Sequence, residues 1–136
     1  MGMADADHEE TSPNAPVLII SKLAFSLVGT SQVINIIPDS LAYQAYRQQE
    51  VTEKFSCNYG INPQFQDQFS QGRLRSTGVD LEGETRIAEL SNHPFYMATL
   101  FLPQIISEPN RPHPLIVAYI KAALDYQAFC RTRGKS

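Results

Sequence analysis

A nearly unbroken run of apolar residues covers positions 95–101, and Pro103 ends it. An apolar run of this length that stops at a proline is typical of a strand buried on both faces, in the middle of a sheet covered by helices. Ligands of such sheets usually bind just past the carboxyl end of a strand. We therefore expect a central strand here, and we expect any chemistry at residues 102–104.

The strands elsewhere are predicted by shorter patterns of apolar and polar residues. Residues 51–61 alternate, which predicts one strand whose apolar face carries Val51, Phe55 and Cys57. Two segments joined by a turn at Gly29 are rich in branched and aromatic residues, which favours a hairpin. The predicted hairpin strands are 17–28 and 32–37, and a further pair, 73–79 and 85–90, flanks a turn at 81–84.

Three helices are predicted from residues that start or end helices. Ser40 precedes an apolar face within 41–48, and it can accept the first free backbone N–H groups. Asn62 followed by Pro63 marks the start of a second helix, which Gly72 ends. The last helix begins with Pro114 at its first position and runs to about residue 129.

Composition and charge narrow the class of protein. The chain has 136 residues, of which 43% are hydrophobic and 18% charged, and this composition is that of an ordinary globular domain. The formal charge of -3 argues against a nucleic-acid surface, and the longest apolar run is too short to span a bilayer. The acidic amino terminus is unlike a signal peptide, and two cysteines without a CxxC pattern favour reduced thiols. We expect a cytoplasmic protein without metal or other cofactors, in which a mobile polar lead-in (1–16) and a tail (131–136) flank one domain (17–130).

Two motifs of the chain resemble the glutaminase domain of CTP synthase, a class I glutamine amidotransferase. The first is HPFYMATLFLPQ at 93–104, followed by EPNRPHPLIVAYIKAAL at 108–124, and the second is EKFSCNYGIN at 53–62. The resemblance is strongest to proteins related to the carboxyl-terminal region of CTP synthase, and it runs from about residue 17 to residue 129. It implies an α/β fold with a mixed sheet flanked by helices, of which this chain is the carboxyl-terminal half, begun at an internal methionine (Met1).

The resemblance also shows where this chain departs from the family. The family's catalytic histidine falls on Leu102 and its glutamate on Gln104, and its nucleophilic cysteine would lie before residue 1. Leucine cannot transfer a proton, and an amide cannot orient an imidazolium by charge. Asn58 and Tyr59 fall where the family lines its glutamine pocket. The resemblance therefore predicts that no residue is catalytic and that a vestigial pocket is formed by Asn58, Tyr59, Leu102 and Gln104.

Other residues that could carry chemistry have a plainer structural interpretation. Cys57 could be a substitute nucleophile, but it lies among apolar residues, which favours a packed role. His93 and His113 each precede a proline and have no partner visible in the sequence, so we expect structural roles, with His113 holding the loop before the last helix. Glu82, Glu84 and Glu89 flank a predicted turn, and we expect them to be solvated.

The residues and the resemblance leave three functions open. The chain is a degenerate, non-catalytic glutaminase-like protein, or it is part of an active enzyme whose nucleophile lies upstream or on a partner chain, or it is a stand-alone interaction module. A lone half of such a domain would expose a sheet edge, and exposed edges usually pair. We therefore expect a homodimer or an amino-terminal partner segment that completes the domain, and neither nucleic acid nor membrane as a partner.

Overall fold

The structure is a computed structural model in which residues 3–134 are described. Within this range the chain forms eight strands, three α-helices and two short 3-10 helices, at Pro63–Phe65 and Pro103–Ile105. In chain order the strands and α-helices are β1 (Ala6–His8), β2 (Val17–Lys22), β3 (Thr30–Ile36), α1 (Leu41–Tyr46), β4 (Glu50–Phe55), β5 (Tyr59–Ile61), α2 (Gln66–Gln71), β6 (Leu74–Val79), β7 (Thr85–Leu90), β8 (Met97–Thr99) and α3 (Pro114–Arg133).

The strands form two sheets. The larger sheet has the order β4-β3-β6-β7-β8, and each of its neighbouring pairs is antiparallel. The smaller sheet has the order β1-β2-β5, with β1 parallel and β5 antiparallel to β2. The predicted α/β class, with a mixed sheet and helices, is confirmed. The mixed sheet is nevertheless the smaller of two sheets, whereas we expected one.

The predicted strand over 51–61 is interrupted, and this interruption separates the two sheets. Between β4 and β5 the backbone carbonyls bind the segment that follows β2 and not a strand of either sheet. The carbonyl of Asn58 accepts a hydrogen bond from the N–H of Leu23 at 2.8 Å. Cys57 likewise accepts one from the N–H of Leu27 at 3.0 Å. The segment that joins β2 to β3 is thereby held across the junction. The predicted hairpin of these two strands is therefore wrong, because β2 pairs in the smaller sheet and β3 in the larger one.

The strand that we expected in the centre of the sheet lies at its edge. β8 is three residues long and pairs with β7 alone among the described strands. Phe101 is buried, but Ala98 is exposed and the Tyr96 side chain is 44% exposed. An apolar run does not distinguish burial beneath a helix from burial between two strands, and here α3 covers one face only.

The core lies on one face of the larger sheet, beneath α1 and the first turn of α3. The rings of Phe55 and Phe101 meet edge to face, with centroids 5.7 Å apart. β6 approaches β7 closely at Gly78, where an added Cβ atom would lie 2.8 Å from the Ile87 side chain. The buried apolar residues of this cluster are Leu27, Ile34, Ile36, Ala42, Phe55, Ile87, Phe101 and Leu115.

The start of α1 is held from a distant strand. The Ser40 hydroxyl accepts a hydrogen bond from the N–H of Tyr43 at 3.0 Å, which confirms the predicted cap. The Glu89 carboxylate, on β7, accepts two more bonds, from the N–H groups of Leu41 at 3.0 Å and Ala42 at 2.7 Å. Glu89 is only 5% exposed, so the prediction that it is solvated is wrong. A carboxylate is favoured here because the free N–H groups give a helix start partial positive charge.

The predicted starts of the other two helices are confirmed. The Asn62 side chain accepts a hydrogen bond from the N–H of Gln64 at 3.1 Å, and Pro63 begins the 3-10 turn that leads into α2. Pro114 is the first residue of α3, which continues to Arg133.

The structure describes most, but not all, of the residues in the predicted lead-in and tail. The predicted lead-in (1–16) contains β1, which pairs in parallel with β2, and the predicted tail (131–136) begins as the last turn of α3. Met1, Gly2, Lys135 and Ser136 lie outside the described residues. No helix between residues 3 and 134 is long and apolar enough to cross a membrane. The domain limits and the cytoplasmic location stay predictions.

The contact between Glu89 and α1 yields a first prediction. We expect Glu89→Gln to lower the free energy of unfolding by about 1–3 kcal/mol, because one of the two charge-assisted bonds is lost and the buried amide brings an unpaired donor. Urea titration followed by circular dichroism measures this change. Glu82→Gln is the matched control, since Glu82 is exposed in the β6–β7 turn, and we expect it to cost less than about 0.5 kcal/mol. Equal losses in the two variants would contradict a capping role for Glu89.

Candidate functional site

The end of β8 carries no group that can transfer a proton. Leu102 stands before the 3-10 helix Pro103–Ile105, and its side chain is 42% exposed. Its carbonyl closes the turn by accepting a hydrogen bond from the N–H of Ile105 at 3.0 Å. Gln104, within the turn, is exposed. A hydrocarbon and a neutral amide lie where the resemblance predicts imidazole and carboxylate.

The other two residues of the predicted vestigial pocket lie at the start of β5. Asn58 is exposed, whereas Tyr59 is half-buried against the ring of His8, with ring centroids 5.2 Å apart. Within residues 3–134, no hydrogen bond or ring contact joins either of them to Leu102 or Gln104. None of the four lines the five cavities, of 210 to 470 Å³, that stand out on the described surface. The vestigial pocket stays a prediction.

The thiol of Cys57 closes a turn. Cys57 lies between β4 and β5, and not in the middle of a strand as its sequence context predicts. Its sulfur donates to the carbonyl of Tyr59 at 3.0 Å and accepts from the N–H of the same residue at 3.4 Å. No histidine of the described chain hydrogen-bonds to this sulfur. These contacts are structural, and they provide no base that could generate a thiolate.

His113, which caps the start of α3, uses both of its ring nitrogens in hydrogen bonds within the protein. His113 is 2% exposed, and its Nδ1 atom accepts from the N–H of Leu115 at 3.1 Å. Because an N–H donates to Nδ1, the ring proton must be on Nε2, which lies 2.6 Å from Oε1 of Glu53. His113 is therefore a neutral ring that donates to a carboxylate. The expectation that it fixes the loop before the last helix is confirmed.

A tyrosine from α1 completes this buried cluster. The Tyr46 hydroxyl donates to the same oxygen of Glu53 at 2.5 Å. Burial, and then the hydrogen bond to the Glu53 carboxylate, raise the pKa of Tyr46 far above its usual value. Glu53 is 1% exposed, and its Oε2 atom has no hydrogen-bond partner among the described residues.

We call Tyr46, Glu53 and His113 the buried network. It joins α1, β4 and the start of α3, and a cavity of 410 Å³ beside it is also lined by Ile106 and Arg111. Histidine and glutamate in contact resemble two members of a catalytic triad, but a general base needs a free ring nitrogen that faces a nucleophile. Both nitrogens of His113 are occupied, one by backbone and one by Glu53. The network can therefore position elements but cannot remove a proton from a substrate through its histidine.

One weak signal of this network is visible in the amino-acid sequence. Glu53 stands between Val51 and Phe55 on the face of β4 that points to the core, so strict alternation places it inside. A buried carboxylate needs partners, and a histidine followed by the proline that starts a helix is a natural one. The sequence does not reveal that these two residues, separated by 60 positions, meet.

A buried ion pair holds the β6–β7 turn. Arg86 and Asp80 lie 2.7 Å apart, and their side chains are 3% and 4% exposed. The other Asp80 oxygen accepts from the N–H groups of Glu82 at 3.0 Å and Glu84 at 2.9 Å, and the Glu84 carboxylate also reaches Arg86. The charges of Asp80, Glu84 and Arg86 therefore pair with one another or with backbone N–H groups of the turn. Glu84 is therefore engaged in an ion pair, whereas we expected it to be solvated.

The remaining histidines lie on the surface or near it. His8 accepts from the N–H of Glu10 at 3.1 Å and His93 from the N–H of Phe95 at 3.2 Å, in each case through Nδ1. These short-range bonds fix local turns. Among residues 3–134, no cluster of three or more histidine, cysteine or acidic side chains could hold a metal ion.

Comparison with known proteins relates this chain to CTP synthase. No family model matches. The CTP synthase of Mycobacterium tuberculosis (strain ATCC 25177 / H37Ra) is 31% identical over 144 residues, which cover 94% of this chain and 25% of that protein. The CTP synthases of Mycolicibacterium smegmatis and Archaeoglobus fulgidus are each 31% identical, over 98% and 93% of this chain. The chain thus spans about a quarter of the length of the curated relatives that it matches.

A solved structure shows the same fold. The glutaminase domain of Trypanosoma brucei CTPS, with bound acivicin, matches with a TM-score of 0.83 and 19% sequence identity. The match covers 91% of this chain and 52% of that chain. The predicted class I amidotransferase-like fold is confirmed, as is its restriction to part of a domain. Over almost its whole length, this chain is similar in sequence to part of CTP synthase, and its fold is that of about half of the T. brucei glutaminase chain.

Proposed function

We propose that this chain is a non-catalytic relative of the CTP synthase glutaminase domain, whose role is to provide a folded surface. The observation that carries this proposal is a pair of residues that lie just past β8, three and five positions after its last residue. Leu102 and Gln104 stand where the resemblance puts the catalytic histidine and glutamate, and neither can act as a base or carry a negative charge. Losing one general base alone typically costs a factor of about 100 to 10,000 in rate.

The buried network supports the proposal, because its histidine does not replace the missing one. His113 is 2% exposed and uses both ring nitrogens within the protein. Freeing Nε2 for a substrate would leave the Glu53 carboxylate without its histidine donor in a water-excluded site, which is costly. We propose that this network is a structural one that fixes α3 against β4.

A second candidate is an enzyme that another polypeptide segment completes, with the nucleophile on that segment. One observation favours it: the fold of this chain matches 52% of the T. brucei glutaminase chain, so about half of such a domain has no counterpart here. The nucleophile would still lack the usual base at position 102. Its chemistry would have to differ from ordinary glutamine hydrolysis.

A glutaminase assay tests the first proposal. We expect the purified chain to release no more ammonia from L-glutamine than its Leu102→Ala variant, because neither side chain at that position can transfer a proton. The T. brucei glutaminase domain in the same assay is the positive control. Release at about tenfold or more above the Leu102→Ala variant would overturn the proposal.

The structural role of the network yields a third prediction. We expect His113→Leu to lower the free energy of unfolding by about 1.5–3 kcal/mol, because it removes one of the two hydrogen-bond donors to a buried carboxylate. Replacing both members, with Glu53→Leu and His113→Leu together, should recover part of this loss, since no unpaired charge then remains.

The control for this prediction is His93→Leu, because His93 also precedes a proline but is exposed. We expect this variant to cost less than about 0.5 kcal/mol in the same urea titration. The single variant Glu53→Leu completes the cycle. If the losses in free energy of unfolding of the two single variants simply added up in the double variant, Glu53 and His113 would not be coupled, and the prediction would be wrong.

The raised pKa of Tyr46 yields a fourth prediction. In the unfolded chain this hydroxyl loses its proton near pH 10, whereas in the folded chain it keeps the proton above that pH. The raised pKa therefore stabilises the fold fully below pH 10, and this stabilisation is lost as the pH rises further. Between about pH 9 and pH 11, we expect the stability of the parent relative to Tyr46→Phe to fall by about 1.4 kcal/mol.

The measurement is denaturant titration of both proteins at each pH. Tyr126→Phe, which removes the hydroxyl of an exposed tyrosine of α3, is the matched control. A fall of equal size relative to the Tyr126→Phe variant would show that the effect does not arise from the buried network.

A further inference from the structure

The last helix is apolar on opposite sides. Leu115, Ala118 and Ala122 lie on the side that faces the core, where Leu115 is 5% exposed and the two alanines are half-buried. Three larger residues share the opposite side, which points to solvent: Val117, Ile120 and Leu124, at 47%, 52% and 60% exposed. Large apolar side chains that lie together on one exposed side of a helix mark a surface that contacts another element or a partner. The outer side of α3 is therefore a surface that lacks its cover.

The edge of the larger sheet next to α3 is also open. Tyr96 and Leu100 exchange hydrogen bonds with β7: the Tyr96 carbonyl accepts from Leu90 at 3.4 Å, and the Leu100 N–H donates to Arg86 at 3.0 Å. Because backbone groups alternate along an antiparallel strand, those of Met97 and Thr99 point to the free edge. No strand of the described chain pairs with them.

The open edge and the helix form one continuous surface. A cavity of 210 Å³ between them is lined by Met97, Thr99 and Tyr119, and one of 350 Å³ by Phe95, Tyr119 and Tyr126. Exposed large apolar residues are concentrated in this part of the chain, between residues 96 and 129. We call the free edge of β8 with the outer side of α3 the open face. The residues used below are Met97 and Thr99 on the edge, and Val117, Ile120 and Leu124 on the helix.

The fold comparison indicates what covers the open face. The fold of this chain matches 52% of the T. brucei glutaminase chain at a TM-score of 0.83, so roughly the other half of that chain lies outside the match. The two halves of one domain bury their apolar layers against each other. A missing half would supply what this face lacks: backbone groups for a sheet edge, and apolar side chains for a helix.

We propose that the open face binds the complementary half of a glutaminase-like fold, which adds a strand to β8 and packs apolar side chains on Val117, Ile120 and Leu124. The occupant is the polypeptide encoded immediately before the first codon of this chain. This inference does not depend on catalysis, so it can fail while the proposed function stands, and the reverse.

The test uses the polypeptide encoded immediately before the first codon of this chain, produced either in continuity with it or separately and mixed with it. The amide N–H groups of Met97 and Thr99 are the reporters, because they face the open edge. We expect their hydrogen exchange to slow by about 100-fold or more when that polypeptide is present, since they become part of a paired ladder. Unchanged exchange at both amides, or no folded polypeptide encoded there, would overturn the inference.

A pair of matched variants locates the contact. With the polypeptide supplied separately, we expect Leu124→Glu to weaken the complex by about 30-fold or more, measured by titration calorimetry, because it buries an unpaired charge. Leu81→Glu makes the same change at a leucine of the β6–β7 turn that is 77% exposed, and we expect it to leave binding unchanged.

A second copy of this chain is the competing occupant. Sedimentation equilibrium of the chain alone distinguishes it, and we expect a monomer at micromolar concentration. A dimer that Leu124→Glu dissociates and Leu81→Glu does not would assign the open face to self-association and overturn the inference. Equal effects of the two variants on the mixed complex would also overturn it, because the contact would then lie elsewhere.

Discussion

A buried carboxylate controls how the last helix meets the rest of this fold. Glu53 is 1% exposed and forms no salt bridge with a described lysine or arginine, so its charge must be balanced by neutral donors. Tyr46 provides one, and His113 provides the other from the first turn of α3. Through the ring of His113 the N–H of Leu115 is coupled to the carboxylate, so the partial positive charge of a helix start reaches Glu53 in two steps. If one member moves, a polar group is left unpaired in the core.

Two further carboxylates are buried, and the negative charge of each is stabilised by a different kind of partner. Asp80 is paired with a cation, Arg86, and also binds backbone N–H groups of its own turn. Glu89 pairs with no cation of residues 3–134 and relies on the free N–H groups of α1. Each carboxylate connects elements that hydrophobic contacts alone would leave free to shift. The three buried acidic residues thus have structural roles, because each stabilises the position of one element or turn against its neighbours.

Local features were predictable from the sequence, and features that join distant residues were not. The starts of all three helices follow from Ser40, from Asn62 with Pro63, and from Pro114, because capping involves residues a few positions apart. The β6–β7 pair follows from two strand-length segments on either side of the turn at 81–84. The division into two sheets and the place of β8 at an edge depend on pairings that no local pattern encodes. Likewise, Glu89 and Ala42 are 47 positions apart, so burial of that carboxylate was not foreseeable.

The candidate site was predictable in identity but not in geometry. Resemblance to the family predicted that Leu102 and Gln104 take the catalytic positions, and the structure places them three and five positions after the end of β8. It could not show that the nearest deeply buried histidine, His113, is held neutral by a backbone N–H and a carboxylate. That arrangement appears only when β4 and α3 are brought together.

The shortness of β8 has a consequence for solubility. Pro94 and Pro103 lie on either side of a strand of three residues, and a proline cannot donate to a ladder. Such prolines act as gatekeepers: they keep an unpaired edge too short to template fibrils, even while apolar surface beside it is uncovered. We therefore expect the exposed edge of β8 to be a poor template for extended stacking of strands.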